Sequence, residues 1–189
     1  MIRPSAAALA CGALIGAAAL AGCASDNNPP STGLPSFYQS LAAADAKLDA
    51  GAAQSMISGY RANNGLNPVT IDPELMKLAS EQAHAMASHD KLDHSVWRPF
   101  QERIQQSSFD AAVAVENIGA GYQTLAEAFS GWRDSPPHRA NMLNPNVTKM
   151  GIAAVYAPQS KYKVFWSLIL AKPDDERRQV FGAGPIMPR

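Results

Sequence analysis

The chain has 189 residues, enough for one ordinary domain with extensions. Apolar residues make up 47% and charged residues 17%, so a sizeable core can form and global disorder is excluded. Sixteen Lys and Arg balance sixteen Asp and Glu, which excludes the broad positive field of a nucleic-acid binder, and two cysteines are too few for a disulfide-stapled scaffold.

Arg3 is the only charged residue before Cys23, and the stretch Pro4 to Gly22 is dominated by Ala, Leu, Gly and Ile. This is the pattern of an export signal, too short and too weakly apolar for a span of about 20 residues. It ends in Leu20-Ala21-Gly22-Cys23, small residues ahead of a cysteine, and so resembles a bacterial lipobox. The expectation is a signal peptide over residues 1–22, a diacylglycerol thioether on Cys23, and a lipidated, flexible tether over 23–50. The alternative is a plain secretory signal, or an uncleaved anchor, in which Cys23 is incidental. Ala24 and Ser25 follow the cysteine where an Asp would retain the chain at the inner membrane. The expected location is therefore the outer membrane, facing the periplasm, with the membrane engaged through the lipid. Losing the leader removes Arg3 and Cys11, leaving one net negative charge and no second thiol to pair.

Phe37 to Asp49 has the spacing of a short amphipathic helix, and Gly51 resets the chain. Met56, Ile57 and Tyr60 place a helix over residues 52–63, closed by Asn64-Gly65. Asp72-Pro73-Glu74 is an N-cap, a proline at the first helical position and an acidic first turn. Leu75, Leu78, Ala79, Gln82, Ala83, Met86 and Ala87 continue it as a long amphipathic helix ending near Ser88 to Lys91. His84 lies on its far side and His89 at its end, both as solvated residues. Pro99 to Ser107 is a further short helix, and Ala111 to Val115 an apolar run leading into Glu116-Asn117-Ile118-Gly119. Thr124 and Glu127 form a capping-box pattern ahead of a helix through Trp132, stopped by Asp134-Ser135-Pro136-Pro137. Residues 150–157 and 163–171 are strand-like, with Pro158-Gln159-Ser160 as the hairpin loop. Residues 173–189 are expected to be a tail.

Five motifs occur in fixed order: Tyr60-Arg61-Ala62-Asn63-Asn64-Gly65-Leu66, Leu92-Asp93-His94-Ser95, Glu116-Asn117-Ile118, Trp132 through Leu143, and Met150-Gly151-Ile152-Ala153. Together they resemble a bacterial CAP domain, also called an SCP domain. That superfamily includes cysteine-rich secretory proteins, venom antigen 5 proteins and plant pathogenesis-related proteins of group 1. The resemblance implies an α/β (α+β) fold, a three-layer α-β-α sandwich over residues 51–172, expected as a monomer. It also implies a cleft where His94, Glu116 and His138 converge, with a second acidic residue nearby. Eukaryotic members carry that acid where this chain has Ser135, so Glu127 or Asp134 is the substitute expected here. Bacterial relatives commonly have Gly where Pro137 precedes His138, and proline stiffens that entry.

Two neutral imidazoles and a carboxylate suit a divalent cation such as zinc, with His94, Glu116 and His138 as ligands. The bland alternative is a polar cleft in which Glu116 hydrogen-bonds one or both histidines. The same residues would serve as base and orienter in a hydrolase of peptide or ester bonds, although no nucleophile-elbow pattern is present. A third class is binding of a lipid or cell-envelope ligand, which the family's associations imply. Trp97, Trp132 and Trp166 are expected to pack in the core, and Asn117 and Asn141 to satisfy buried backbone groups. Arg139 is expected to hold local carbonyls or a carboxylate. The leading expectation is an exported, lipid-anchored envelope binding or scaffolding module, and nucleic acid is not expected as a partner.

Overall fold

Alternate residues of one strand divide this molecule into layers. In the computed structural model, which describes residues 33–174, strand β4 (Val164–Pro173) is buried on both faces. Phe165, Ile169 and Ala171 point to one side, and Val164, Trp166, Leu168 and Leu170 to the other. The described residues belong to the compact unit Gly33–Arg189.

The sheet has the order β1-β3-β4-β2, built from β1 (Thr70–Ile71), β2 (Ala111–Ala120), β3 (Lys149–Tyr156) and β4. β2 and β3 each run antiparallel to β4, and β1 adds to β3 in parallel. β4 is thus interior, as its largely apolar run, broken only by Ser167 before Lys172, requires, and β2 is an edge.

One face carries α2 (Pro73–His89) and α3 (Phe100–Gln105), whose Leu75, Leu78, Ala79 and Ile104 pack on Ile169 and Ala171. The other carries α1 (Ala50–Ala62), α4 (Leu125–Asp134) and α5 (Pro136–Met142), with Ile57, Ala128, Trp132 and Met142 against Met150, Ile152, Trp166 and Leu168. This is the three-layer α-β-α sandwich that the motifs imply. Asp72 caps α2 from its side chain, and Asp90 closes it in the left-handed region at φ 48°. Thr124 and Glu127 form the capping box of α4. Among the described residues no helix is long and apolar enough to cross a membrane.

The segment 33–49 departs from the expected helix and from a free tether. Only Ser36–Tyr38 makes a short 3-10 turn. Leu41 is buried, its N–H donates to the Gln123 carbonyl, and Phe37, Ala42 and Leu48 pack on the core. The Asp49 carboxylate accepts the Ala52 N–H and the Ser36 hydroxyl, so it opens α1 rather than closing an earlier helix. Gly51 lies inside α1. Glu116 sits within one continuous strand, and His138 within a short helix that begins at Pro136. The leader, Cys23 and the tail from residue 175 lie outside the described residues.

Candidate functional site

Glu116 lies on the edge strand and pairs across the ladder with Ile169, so its side chain enters the layer of α2 and α3. That side chain is 1% exposed. Both its oxygens lie 2.9 Å from Arg103 Nη2. Oε2 also accepts His94 Nδ1 at 2.8 Å, and Oε1 accepts the Ser167 hydroxyl at 3.3 Å. Ser167 stands opposite Ile118, two residues along the same face from Glu116. The carboxylate is thereby satisfied from three directions, as a charge removed from water must be.

Arg103 comes from α3, and its side chain is fully buried. Its Nη2 also donates to the His94 carbonyl at 3.2 Å, and its Nε to the Arg98 carbonyl at 3.3 Å. The same guanidinium therefore neutralises Glu116 and fixes the backbone that carries His94. Half of the His94 side chain is exposed (49%). An ionised carboxylate only accepts, so His94 Nδ1 carries the proton toward Glu116.

His138 reaches the site from the opposite layer, in the first turn of α5. Asn117, the next residue along β2, points to that layer and donates to the His138 carbonyl at 3.0 Å. Asn141 Nδ2 donates to Asn117 Oδ1 at 2.8 Å and to the Glu116 carbonyl at 3.2 Å. These two amides lash α5 to the edge of the sheet, the role the sequence suggests for them. Trp132 Nε1 holds the next outward carbonyl, that of Ile118, at 3.1 Å. The half-buried His138 ring places Nδ1 2.9 Å from the Ser135 hydroxyl. Burial pushes its pKa below the ordinary histidine value, and the nearby charge of His94 adds to this.

The other expected acids are engaged elsewhere. Glu127 Oε2 accepts the N–H groups of Gln123 and Thr124, which completes the capping box and places this exposed carboxylate at the start of α4. Asp134 is exposed and clamped by Arg133, which lowers its pKa. Ser135 is the polar group that meets His138 at the position where an acid was sought. His84 and His89 are solvated, each with Nδ1 against a carbonyl one turn back. Arg139 donates to the Arg133 carbonyl. Trp132 and Trp166 are buried edge to face. Trp97 is not in the core: it is 43% exposed, on the loop after His94, with the Arg98 guanidinium 5.0 Å above its ring.

Arg103 is the residue that sequence reading missed. Its signal was chemical rather than a motif: a buried Glu116 demands a donor, and a cation lies between His94 and Glu116 in the chain. Arg61 belongs to the first of the five motifs. It is a fully buried guanidinium donating to the carbonyls of Asn67, Met142, Asn144 and Val147, and burial pushes its pKa down.

Among the described residues, no three His, Cys, Asp or Glu side chains gather closely enough to share a metal ion. The donor chemistry explains this. Glu116 is taken by Arg103, Ser167 and His94, so it is placed to orient an imidazole and not to be a third ligand. Both histidine rings have Nδ1 engaged, that of His94 by Glu116 and that of His138 by Ser135.

A family model described as CAP, cysteine-rich secretory protein family, matches residues 54–170, more than half of the chain. Over 103 residues, 53% of the chain, the sequence is 32% identical to the uncharacterized protein YkwD of Bacillus subtilis (strain 168), and the match spans 40% of that protein. The fold is similar to that of an outer surface protein from Borrelia burgdorferi, with TM-score 0.62, 22% identity, and coverage of 69% of this chain and 96% of that one. It is also similar to an extracellular SCP-domain protein from Bacillus anthracis str. Ames, with TM-score 0.57, 21% identity, and coverage of 65% and 39% respectively.

Proposed function

The chain belongs to the CAP family of cysteine-rich secretory proteins, and we propose that it is an exported, lipid-anchored binding module of the cell envelope whose ligand is engaged by His94 and His138. The observation that carries this reading is the closed environment of Glu116. With Arg103, Ser167 and His94 all upon it, the carboxylate is a fixed support. The half-exposed His94 ring and the His138 ring remain as the groups a ligand can reach. Export is supported by the leader pattern and by the outer-surface and extracellular descriptions of the two structural relatives.

A divalent ion such as zinc is the ligand bridge this reading calls for, to be held by His94 and His138, with Glu116 setting the ring of His94. Bound there, it would supply a Lewis-acidic contact for an oxygen of the ligand. Calorimetric titration of the mature chain with zinc tests this part, comparing wild type with His94→Ala/His138→Ala. Saturable binding lost in the double variant supports an ion-linked module, and its absence in wild type removes the ion. Membrane fractionation of Cys23→Ser tests the anchor, which fails if the variant is processed and retained as before.

One observation favours a hydrolase as second reading: the Ser135 hydroxyl lies 2.9 Å from His138 Nδ1. Burial keeps that imidazole neutral and so able to take a proton. Ester or peptide turnover that disappears in Ser135→Ala, with folding unchanged, would establish it. Turnover equal in wild type and variant would remove it.

A further inference from the structure

Among the described residues, the large apolar side chains most exposed to solvent are Leu34 (68%) and Tyr38 (54%). Both lie where the described chain begins, beside a cavity of about 430 Å³ lined by Pro35, Phe37, Ala52, Ser55 and Met56. The patch is built rather than loose. Tyr38 N–H donates to the Pro35 carbonyl, Gln39 Nε2 to the Leu34 carbonyl, and Ser36 Oγ to Asp49. The Phe37 and Tyr38 rings meet at a tilt of 57°, their centroids 4.6 Å apart. Leu34 and Tyr38 thus present apolar surface to solvent beside the start of α1.

The place of the patch in the chain says what covers it. Cys23 is ten residues before Gly33. Fully extended, that length spans at most about 35 Å. If Cys23 carries the lipid, the length of chain between them holds the patch within that distance of the bilayer. We infer that Leu34, Phe37 and Tyr38, with the rim of the cavity at Met56, rest on the membrane that holds the anchor. The contact is shallow. Tyrosine suits the headgroup level, where one end of the ring is wet. The exposed carboxylate of Asp49, beside Ser36, bars deeper entry. The domain would then stand on the N-terminal end of α1 instead of swinging freely. This inference rests on the lipid-anchor reading.

The test uses the full chain, processed and purified with its lipid, in vesicles of phosphatidylethanolamine and phosphatidylglycerol. No thiol beyond Cys23 remains after leader removal, so Tyr38→Cys carries a polarity-sensitive maleimide probe at one position. Asn146→Cys is the control. It lies beyond the far end of α1, where Arg61 binds the carbonyls on either side of it. The expected result is a blue shift of the probe at 38, none at 146, and loss of the shift when Leu34→Asp is added. A vesicle-bound chain whose probe at 38 reads water, as the control does, overturns the docking and leaves the anchor standing. A chain that stays in the supernatant although Cys23 is intact overturns both.

Discussion

Arg103 Nη2 lies 2.9 Å from both carboxylate oxygens of Glu116 and 3.2 Å from the carbonyl of His94. One guanidinium therefore decides two things, the charge balance of the buried acid and the position of the loop that carries the exposed imidazole. Removing it leaves a carboxylate that is 1% exposed without its counter-ion. Arg103→Met is expected to lower unfolding free energy by about 3–5 kcal/mol. Adding Glu116→Gln removes the stranded charge and is expected to recover part of that loss. Urea denaturation of the two variants measures both effects, and equal stability of the single and double variants would refute the coupling.

His138 gives the fold a pH dependence whose sign is fixed. Burial and the charge of His94 hold its pKa below the ordinary value of about 6.5. Below that value the unfolded chain binds the proton more readily than the folded one, so stability falls as pH drops through the folded pKa. The contribution is complete above about pH 6.5. Thermal melts from pH 7.5 to 5 should show a steeper decline for wild type than for His138→Gln, in which that titration is absent. Parallel declines would contradict the assignment.

Gly151 lets the backbone of α2 approach the sheet closely. A Cβ there would stand 2.0 Å from the Leu75 carbonyl carbon and 2.2 Å from its oxygen. Because the obstacle is backbone, it cannot yield as a side chain does, and α2 must move outward. Gly151→Ala is expected to cost at least the 1–3 kcal/mol typical of overpacking. Chemical denaturation checks this. A variant as stable as wild type would show that α2 sits further from β3 than this contact requires.

Legibility in the sequence followed how local each determinant is. Asp72-Pro73-Glu74 and the Thr124/Glu127 box are complete within a few residues, and both helices start there. The β3–β4 hairpin was readable from its apolar runs and its turn. The two-residue strand β1 was not, because Thr70 and Ile71 become a strand only by pairing with Lys149 and Met150. The Phe37 to Asp49 segment has helical spacing, yet Asp49 is used to cap the next helix and Leu41 is drawn to the core. At the site, the motifs name His94, Glu116 and His138, and the structure sets His94 against Glu116. Arg103 was not, since its partner lies 13 residues away and on a different element. Glu127 was readable as a cap and, separately, as a cleft acid. Its carboxylate is committed to the backbone of its own turn, a local demand that a sequence motif states directly.

The most direct measurement of the central claim is a zinc titration of the mature chain followed by NMR of the imidazole rings. The chain has four histidines, and His84 and His89 serve as internal controls on the solvated face and end of α2. The account predicts that His94 and His138 shift together and saturate while His84 and His89 stay still. It also predicts that Glu116→Gln weakens binding about 10–100-fold, as loss of an orienting partner does, without abolishing it. Equal shifts at all four rings, or movement at neither His94 nor His138, would contradict a paired-imidazole site.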